Sequence, residues 1–425
     1  TFNLSTLNGS NGFFINGFAA AAFSGRSVSS AGDINGDGID DLIIGAVSPS
    51  YGSYSGQSYI VFGKSSGFSA SLELFTFNSS NGFLINGINA GDFSGSSVSS
   101  AGDINGDGID DLIIGAVGAD PNGSNNSGQS YVVFGNSSDF SSSLNLSSLN
   151  GSNGFVINGI AVYDYSGSSV SSAGDINGDG IDDLIIGASR ADPNGESSGQ
   201  SYVVFGSSSD FSSSLNLSSL NGSNGFVING IARYNASGYS VNSAGDINGD
   251  GIDDLIIGAP GDFDTSFPGQ SYVVFGSSSG FSSSLNLSSL NGSNGFVING
   301  IVALDYSGSS VSSAGDINGD GIDDLIIGAS RADPNGVTYS GQSYVVYGNP
   351  APVLDLNGNS SGIDFSTTFS GTPVSIVNSD FSLSDNSTTL VGATITITNL
   401  LDGAAESLDA TAISNITATY NPTTG

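Results

Sequence analysis

The sequence predicts an all-β protein: a β-propeller of about five four-stranded blades, followed by a small β-sandwich-like module. Three observations carry this. The motif Asp-Ile-Asn-Gly-Asp-Gly-Ile-Asp-Asp occurs five times at near-constant spacing. Each unit between motifs holds four short runs of strand-forming residues. No segment keeps the 3.6-residue apolar period of an amphipathic helix.

The motifs begin at Asp33, Asp103, Asp175, Asp246 and Asp316, at intervals of 70, 72, 71 and 70 residues. Residues 141–160, 212–231 and 282–301 are identical letter for letter, as duplication within a gene would leave them. The third unit shows the strands in order. Ser169–Ala173 enters the loop and Asp183–Gly187 leaves it. Ser201–Phe205 follows a turn containing Asp192-Pro193-Asn194-Gly195, and Gly225–Asn229 comes after a Ser/Asn-rich excursion. Each run is β-branched or aromatic and bounded by Gly, Pro, Asn or Ser. Four strands in about 70 residues is the size of a propeller blade. The units of an open β-solenoid are usually much shorter.

The chain opens with Gly12-Phe13-Phe14-Ile15-Asn16, a strand of the fourth type, and its last unit ends at Ser343–Tyr347, a strand of the third type. The N-terminal strand is therefore expected to complete the last blade and close the ring. After Gly348 the repeats stop, and Asn349-Pro350-Ala351-Pro352 reads as a stiff boundary. The expected domains are 1–348 and 349–425. Runs such as 374–377 and 393–398 suggest a β-sandwich in the second, which reads as continuing past Gly425.

Charge narrows the function. There are 39 acidic and 5 basic residues, and the formal net charge is −34. Twenty of the acids lie in the five motifs. Four carboxylates in nine residues repel one another, and a bound cation is the simplest reason to tolerate them. The basic residues Arg26, Lys64, Arg190, Arg233 and Arg331 are scattered in sequence and form no basic run, which argues against nucleic acid. With no Cys and no His, disulfides, thiolate or imidazole metal sites and a Ser-His-Asp triad are excluded. No apolar stretch is long enough for a membrane-spanning helix. No signal peptide is visible, and a start at Thr1 reads as a processed or partial product.

Calcium takes six to eight hard oxygen ligands from a flexible loop. In the first motif Asp33, Asn35 and Asp37 offer side-chain oxygens at positions 1, 3 and 5, Gly38 allows the sharp turn, Ile39 offers its carbonyl, and Asp41 closes the shell. Asp40, at position 8, is expected to face solvent. The same roles fall to Asp103, Asn105, Asp107, Ile109 and Asp111, and to Asp175, Asn177, Asp179, Ile181 and Asp183. They recur at Asp246, Asn248, Asp250, Ile252 and Asp254, and at Asp316, Asn318, Asp320, Ile322 and Asp324. About five Ca²⁺ are therefore expected. A plain Asp/Asn/Gly turn has no need of four carboxylates. An EF-hand needs an acid at position 12 and flanking helices, but Ile44, Ile114, Ile186, Ile257 and Ile327 stand there. Magnesium prefers few protein ligands and many waters.

The run Phe-Ser-Gly-x-Ser-Val-Ser-Ser-Ala-Gly-Asp before the loop and Asp-Leu-Ile-Ile-Gly-Ala after it resemble the FG-GAP repeat of integrin α-subunit propellers. Gly258-Ala259-Pro260 matches the GAP element. The resemblance covers about residues 1–348. It implies calcium loops joining two strands of each blade on one face of the propeller, with ligands bound on the opposite face. The integrin-type propeller has seven blades against five repeats here. The near-identical repeats also resemble those of large secreted bacterial surface proteins, cyanobacterial ones included.

Paired carboxylates raise the question of a glycosidase-type acid/base pair, but nearly every close pair lies in a loop copy rather than in one unique site. No enzyme is expected. The turns before the third strands vary between units, at residues 48–52, 119–123, 190–194, 261–265 and 331–335, and Tyr51, Tyr54, Phe263 and Phe267 are their aromatic contact candidates. The expected protein is an extracellular, calcium-stiffened structural or adhesive protein of a surface layer, fibre or adhesin. Its partners would be copies of itself, as a homopolymer, or other surface proteins. The alternative is a discrete module that binds a glycan or protein on the variable face.

Overall fold

The run Asp-Leu-Ile-Ile-Gly-Ala forms the second strand of every blade, and after its leading Asp it carries no polar side chain; in the second to fourth blades both of its faces are covered. In the second blade Leu112 and Ile114 point into the core shared with the first blade, while Ile113 points into the core shared with the third. Alternate residues of one strand thus feed two different cores.

The structure, a computed structural model, describes residues 1–17, 20–47, 54–138, 140–261, 267–349, 353–355 and 382–384. The chain divides into two compact units, Thr1–Pro350 and Ala351–Gly425. In the second unit Val353–Asp355 pairs antiparallel with Ser382–Ser384. The strand-like runs at 374–377 and 393–398, and with them the expected β-sandwich, lie outside the described residues.

The first unit is a series of antiparallel sheets arranged as propeller blades. The first blade is built from Ser24–Gly32, Asp41–Ala46, Gln57–Val61 and Gly82–Asn86, in that order. The second to fourth blades repeat this order, and the first strands of successive blades lie side by side. Four cores fill the four spaces between consecutive blades. Their large fully buried side chains, such as Tyr131, Tyr202, Phe155 and Phe226, each contribute about 1.5–3 kcal/mol by leaving water.

Between the third and fourth strands lies a further short strand that the sequence reading did not separate from the excursion. Ser143–Asn145, in the second repeat, pairs in parallel with Gly82–Asn86 of the first blade. Ser214–Asn216 and Ser284–Asn286 reach back to the preceding blade in the same way. A phenylalanine travels with each: Phe140 stacks on Phe83, Phe211 on Phe155 and Phe281 on Phe226, with ring centroids 4.3–4.5 Å apart.

The expected ring closure is not formed among the described residues, because the first and last blades do not pack on one another. Phe14–Asn16 does not complete the last blade. It pairs in parallel with Ser71–Glu73, the short excursion strand of the first repeat. The last blade has three strands, Ser307–Gly315, Asp324–Ala329 and Gln342–Val346. The parallel register with Ser71–Glu73 holds the N-terminal strand beside the first blade, and among the described residues no strand pairs with the free edge of Gln342–Val346.

Candidate metal loops and the blade junctions

Each motif is a loop joining the first and second strands of its blade. In the first loop Asp33 accepts the N–H of Asp37 on Oδ1 at 3.0 Å and that of Gly38 on Oδ2 at 2.7 Å. Asn35 Oδ1 accepts the Asp37 N–H at 2.9 Å, and Asp37 Oδ1 accepts the Ile39 N–H at 2.9 Å. The position-1 bonds recur at Asp103, Asp175, Asp246 and Asp316. Positions 1, 3 and 5 therefore wind the backbone around themselves, and Gly38, at φ +84°, supplies the left-handed turn this requires.

Position 9 opens the second strand and is buried in all five copies. Asp111 accepts the N–H of Gly135 at 2.8 Å on Oδ1 and that of Ile104 at 3.2 Å on Oδ2, and the Asn105 amide donates to it as well. In the first copy Asp41 Oδ1 accepts the Gly63 N–H at 2.7 Å, while its buried Oδ2 has no hydrogen-bond partner. Burial pushes the carboxyls of Asp41, Asp111, Asp183 and Asp254 far above the ordinary carboxylate range, and the negative charges at positions 5 and 1 of the same loop push further. Asp41 and Asp254 rise to about 7, and Asp111 and Asp183 to about 8.

Among the described residues no three acidic side chains converge into a metal cluster by themselves. The carboxylates at positions 1 and 5 are turned onto backbone N–H groups instead. An ionised carboxylate has about four lone-pair sites, so these bonds leave it capacity to coordinate. The donor set suits a hard oxygen-seeking cation: carboxylates at 1, 5 and 9, an amide oxygen at 3 and a carbonyl at 7. Asp41 Oδ2, buried and unpartnered, is the kind of atom that such an ion satisfies.

Asp40, at position 8 of the first loop, faces solvent as expected, but the other four position-8 residues do not. Asp110 Oδ2 accepts the backbone N–H of Asp33, in the preceding loop, at 2.8 Å. Asp182 does the same for Asp103 at 2.9 Å, Asp253 for Asp175 at 3.0 Å and Asp323 for Asp246 at 3.1 Å. Packing the blades side by side brings the loops into a row, and position 8 points along the row rather than outward. The preceding glycine makes room: a Cβ on Gly102 would lie 2.2 Å from the Asp182 carboxylate. Asp40, with no loop before it, is exposed.

Two more bonds recur at each junction, neither of them singled out from the sequence. The N–H of Val98 donates to Ser27 Oγ at 3.0 Å, and Val170, Val241 and Val311 repeat this with Ser97, Ser169 and Ser240. The N–H of Asn136 donates to the Ile34 carbonyl at 3.0 Å, as Ser207, Ser277 and Asn349 do to Ile104, Ile176 and Ile247. The available signal was repetition: position 8 is Asp in every copy, although a solvent-facing residue has no reason to stay fixed.

The variable turns leave the opposite ends of the second strands. Tyr51 and Phe263 lie outside the described residues, whereas Tyr54 and Phe267 are described and exposed. Three of the five basic residues gather at this end, each over a tyrosine. Arg190 lies 5.4 Å from the Tyr165 ring, Arg233 4.2 Å from Tyr234 and Arg331 4.5 Å from Tyr306. Arg233 also pairs with Glu196. Arg331, Tyr339 and Asp305 line a cavity of about 440 Å³.

No helix among the described residues is long and apolar enough to cross a membrane, which leaves β-barrels unaddressed. The family model of the FG-GAP repeat matches residues 24–61, 94–133, 166–204, 237–274 and 307–346. Each match runs from the first strand through the loop to the third strand. The chain is also similar to integrin alpha ina-1 of Caenorhabditis elegans, with 50% identity over 54 residues. That stretch is 12% of this chain and 5% of the relative, so the chain spans a small part of the curated protein it matches.

Proposed function

Residues 24–346 carry five FG-GAP repeats, so the chain is an FG-GAP repeat protein, and from that premise we propose that it is a non-enzymatic extracellular scaffold stiffened by calcium, with a structural or adhesive role. The observation that carries the metal reading is the position-9 carboxyl, buried in all five copies and sharing its nine-residue motif with the carboxylates of positions 1 and 5. In each loop the side chains at positions 1, 3, 5 and 9 and the carbonyl at 7 would hold the ion. Bound calcium would supply positive charge where burial and mutual repulsion now oppose ionisation.

The stiffening follows from where the loops lie. Position 8 of each loop from the second to the fifth is bonded to position 1 of the one before, so fixing one loop also fixes its junction with the next blade. An ion that binds the folded loop and not the unfolded chain adds its binding free energy to folding. Thermal unfolding in millimolar calcium and in excess chelator tests this. A clearly higher melting temperature with calcium is expected, and equal melting temperatures would overturn the metal reading.

The ligand-binding reading is favoured by one observation, the arginine–tyrosine pairs at the end opposite the loops. A cavity beside Arg331 and Tyr339 offers an aromatic face, a cation and the Asp305 carboxylate together. That combination suits a polar ligand with an apolar face, such as a glycan.

A further inference from the structure

The two open ends of the blade series are halves of the interface that the chain already makes four times. At the internal junctions Val98 is 4% exposed and Leu112 fully buried, whereas their equivalents at the open start, Val28 and Leu42, are 65% and 38% exposed. At the other end Ile326 is 40% and Val345 46% exposed, where Ile256 and Val273 are fully buried. These are the same residues in the same strands, and they lack only a neighbouring blade.

The polar halves match too. Every junction bonds a position-8 Asp to a position-1 N–H, and the series leaves over Asp40 at its start and the Asp316 N–H at its end. Every junction bonds a valine N–H to a serine hydroxyl, and the leftover members are Val28 and Ser310. Close backbone approach repeats the pattern. A Cβ on Gly45, Gly115, Gly187 or Gly258 would lie 2.0–2.1 Å from a glycine carbonyl of the next blade, but at Gly328 nothing comes nearer than 3.5 Å.

The N-terminal strand matches the free edge of the last blade. Phe14–Asn16 and Ser71–Glu73 form a two-stranded shelf equivalent to the fourth strand of a complete blade and the excursion strand that pairs with it. Among the described residues the last blade has three inner strands and no fourth. Between the shelf and the first blade lies an apolar groove of about 420 Å³, lined by Phe13, Ile15, Val28 and Leu42 among others. In complete blades a glutamine on the third strand donates to an asparagine on the fourth, as Gln57 does to Asn86 at 3.0 Å. Gln342 and Asn16 stand at those positions in the two incomplete halves.

We propose that the last blade of one copy docks in the groove at the start of a second copy. The second copy's residues 12–16 then add to the edge strand Gln342–Val346 as its fourth strand. By the register of the complete blades, Asn16 lies opposite Gln342, Ile15 opposite Ser343 and Phe14 opposite Tyr344. The contact joins two different surfaces, so every docked copy still offers a free end, and the product is a filament or a ring of copies. This deepens the scaffold reading above but needs no calcium at the new contact. Its failure would leave the chelator result standing.

The chain has no cysteine, which makes the test clean. Opposed residues of an antiparallel pair lie about 4.5–5.5 Å apart at Cα, within disulfide range. Full-length Ile15→Cys and Ser343→Cys variants, mixed under mild oxidation, are expected to give a covalent dimer that neither gives alone. The unsubstituted chain is expected to grow in mass with concentration, and Val345→Asp, on an exposed end face, to remain a folded monomer. The proposal is overturned if the mixture gives no covalent dimer and the chain stays monomeric. It is equally overturned if the double variant closes only within single chains, because the ring would then be intramolecular.

Discussion

Asp110 Oδ2 and the backbone N–H of Asp33 are 2.8 Å apart, across the boundary between two blades. The bond joins the eighth residue of one loop to the first residue of the loop before it. Its recurrence at three further junctions makes the row of loops a single hydrogen-bonded edge rather than five separate hairpins.

Removing one of these struts should cost stability only where a preceding loop exists. Asp182→Ala leaves the Asp103 N–H without its acceptor, at a cost of about 1–3 kcal/mol. Asp40→Ala touches an exposed carboxylate and should stay within about 0.5 kcal/mol. Urea unfolding of both variants checks the pair. Equal effects would show that position 8 acts only through its charge.

The close approach between glycines makes a second contrast. Gly115→Ala places a methyl group 2.1 Å from the Gly167 carbonyl, and relief requires the blades to separate. A loss of about 1–3 kcal/mol is expected, as for other overpacked sites. Gly328→Ala, with its nearest neighbour at 3.5 Å, should be near neutral in the isolated chain. Thermal melting of dilute samples distinguishes them.

The buried carboxyls of Asp41, Asp111, Asp183 and Asp254 give a pH dependence of known sign. Their folded values of about 7–8 lie above the ordinary carboxylate value, so between about pH 4 and pH 8 the folded chain holds protons that the unfolded chain has lost. Stability falls with rising pH in such a window. With chelator present, the melting temperature should therefore drop from pH 5 to pH 8. Calcium should remove most of that drop by taking the place of the protons, and its addition at pH 6 should release protons into a weakly buffered solution. A chelated protein whose melting temperature rises across this window would contradict the assignment.

Binding at the opposite end can be separated from stiffening at the loops. Arg331→Ala and Tyr339→Ala alter the cavity there without touching any loop. If that cavity takes a glycan, both variants should lose retention on a glycan array by tenfold or more. Their calcium-dependent melting should stay unchanged. Retention equal to that of the unsubstituted chain would exclude the cavity.

The sequence alone determined the repeat, the strand order within a blade and the loop. These are local matters: a turn of Asp, Asn and Gly between two apolar runs dictates a hairpin whatever surrounds it. It also placed Asp33, Asn35, Asp37 and Asp41 in one loop, since nine residues leave them little room to be apart. Tertiary structure decided the rest. Position 8 became a strut because neighbouring blades bring two loops within hydrogen-bonding distance, a relation between residues 77–79 apart in sequence. The N-terminal strand pairs with Ser71–Glu73 because each excursion strand reaches back to a fourth-type strand, which no local pattern announces. Val28 and Val98 stand in the same motif, one open to water and the other buried. Burial is set by the neighbour, not by the motif, so only the packed array could show that its two ends complement each other.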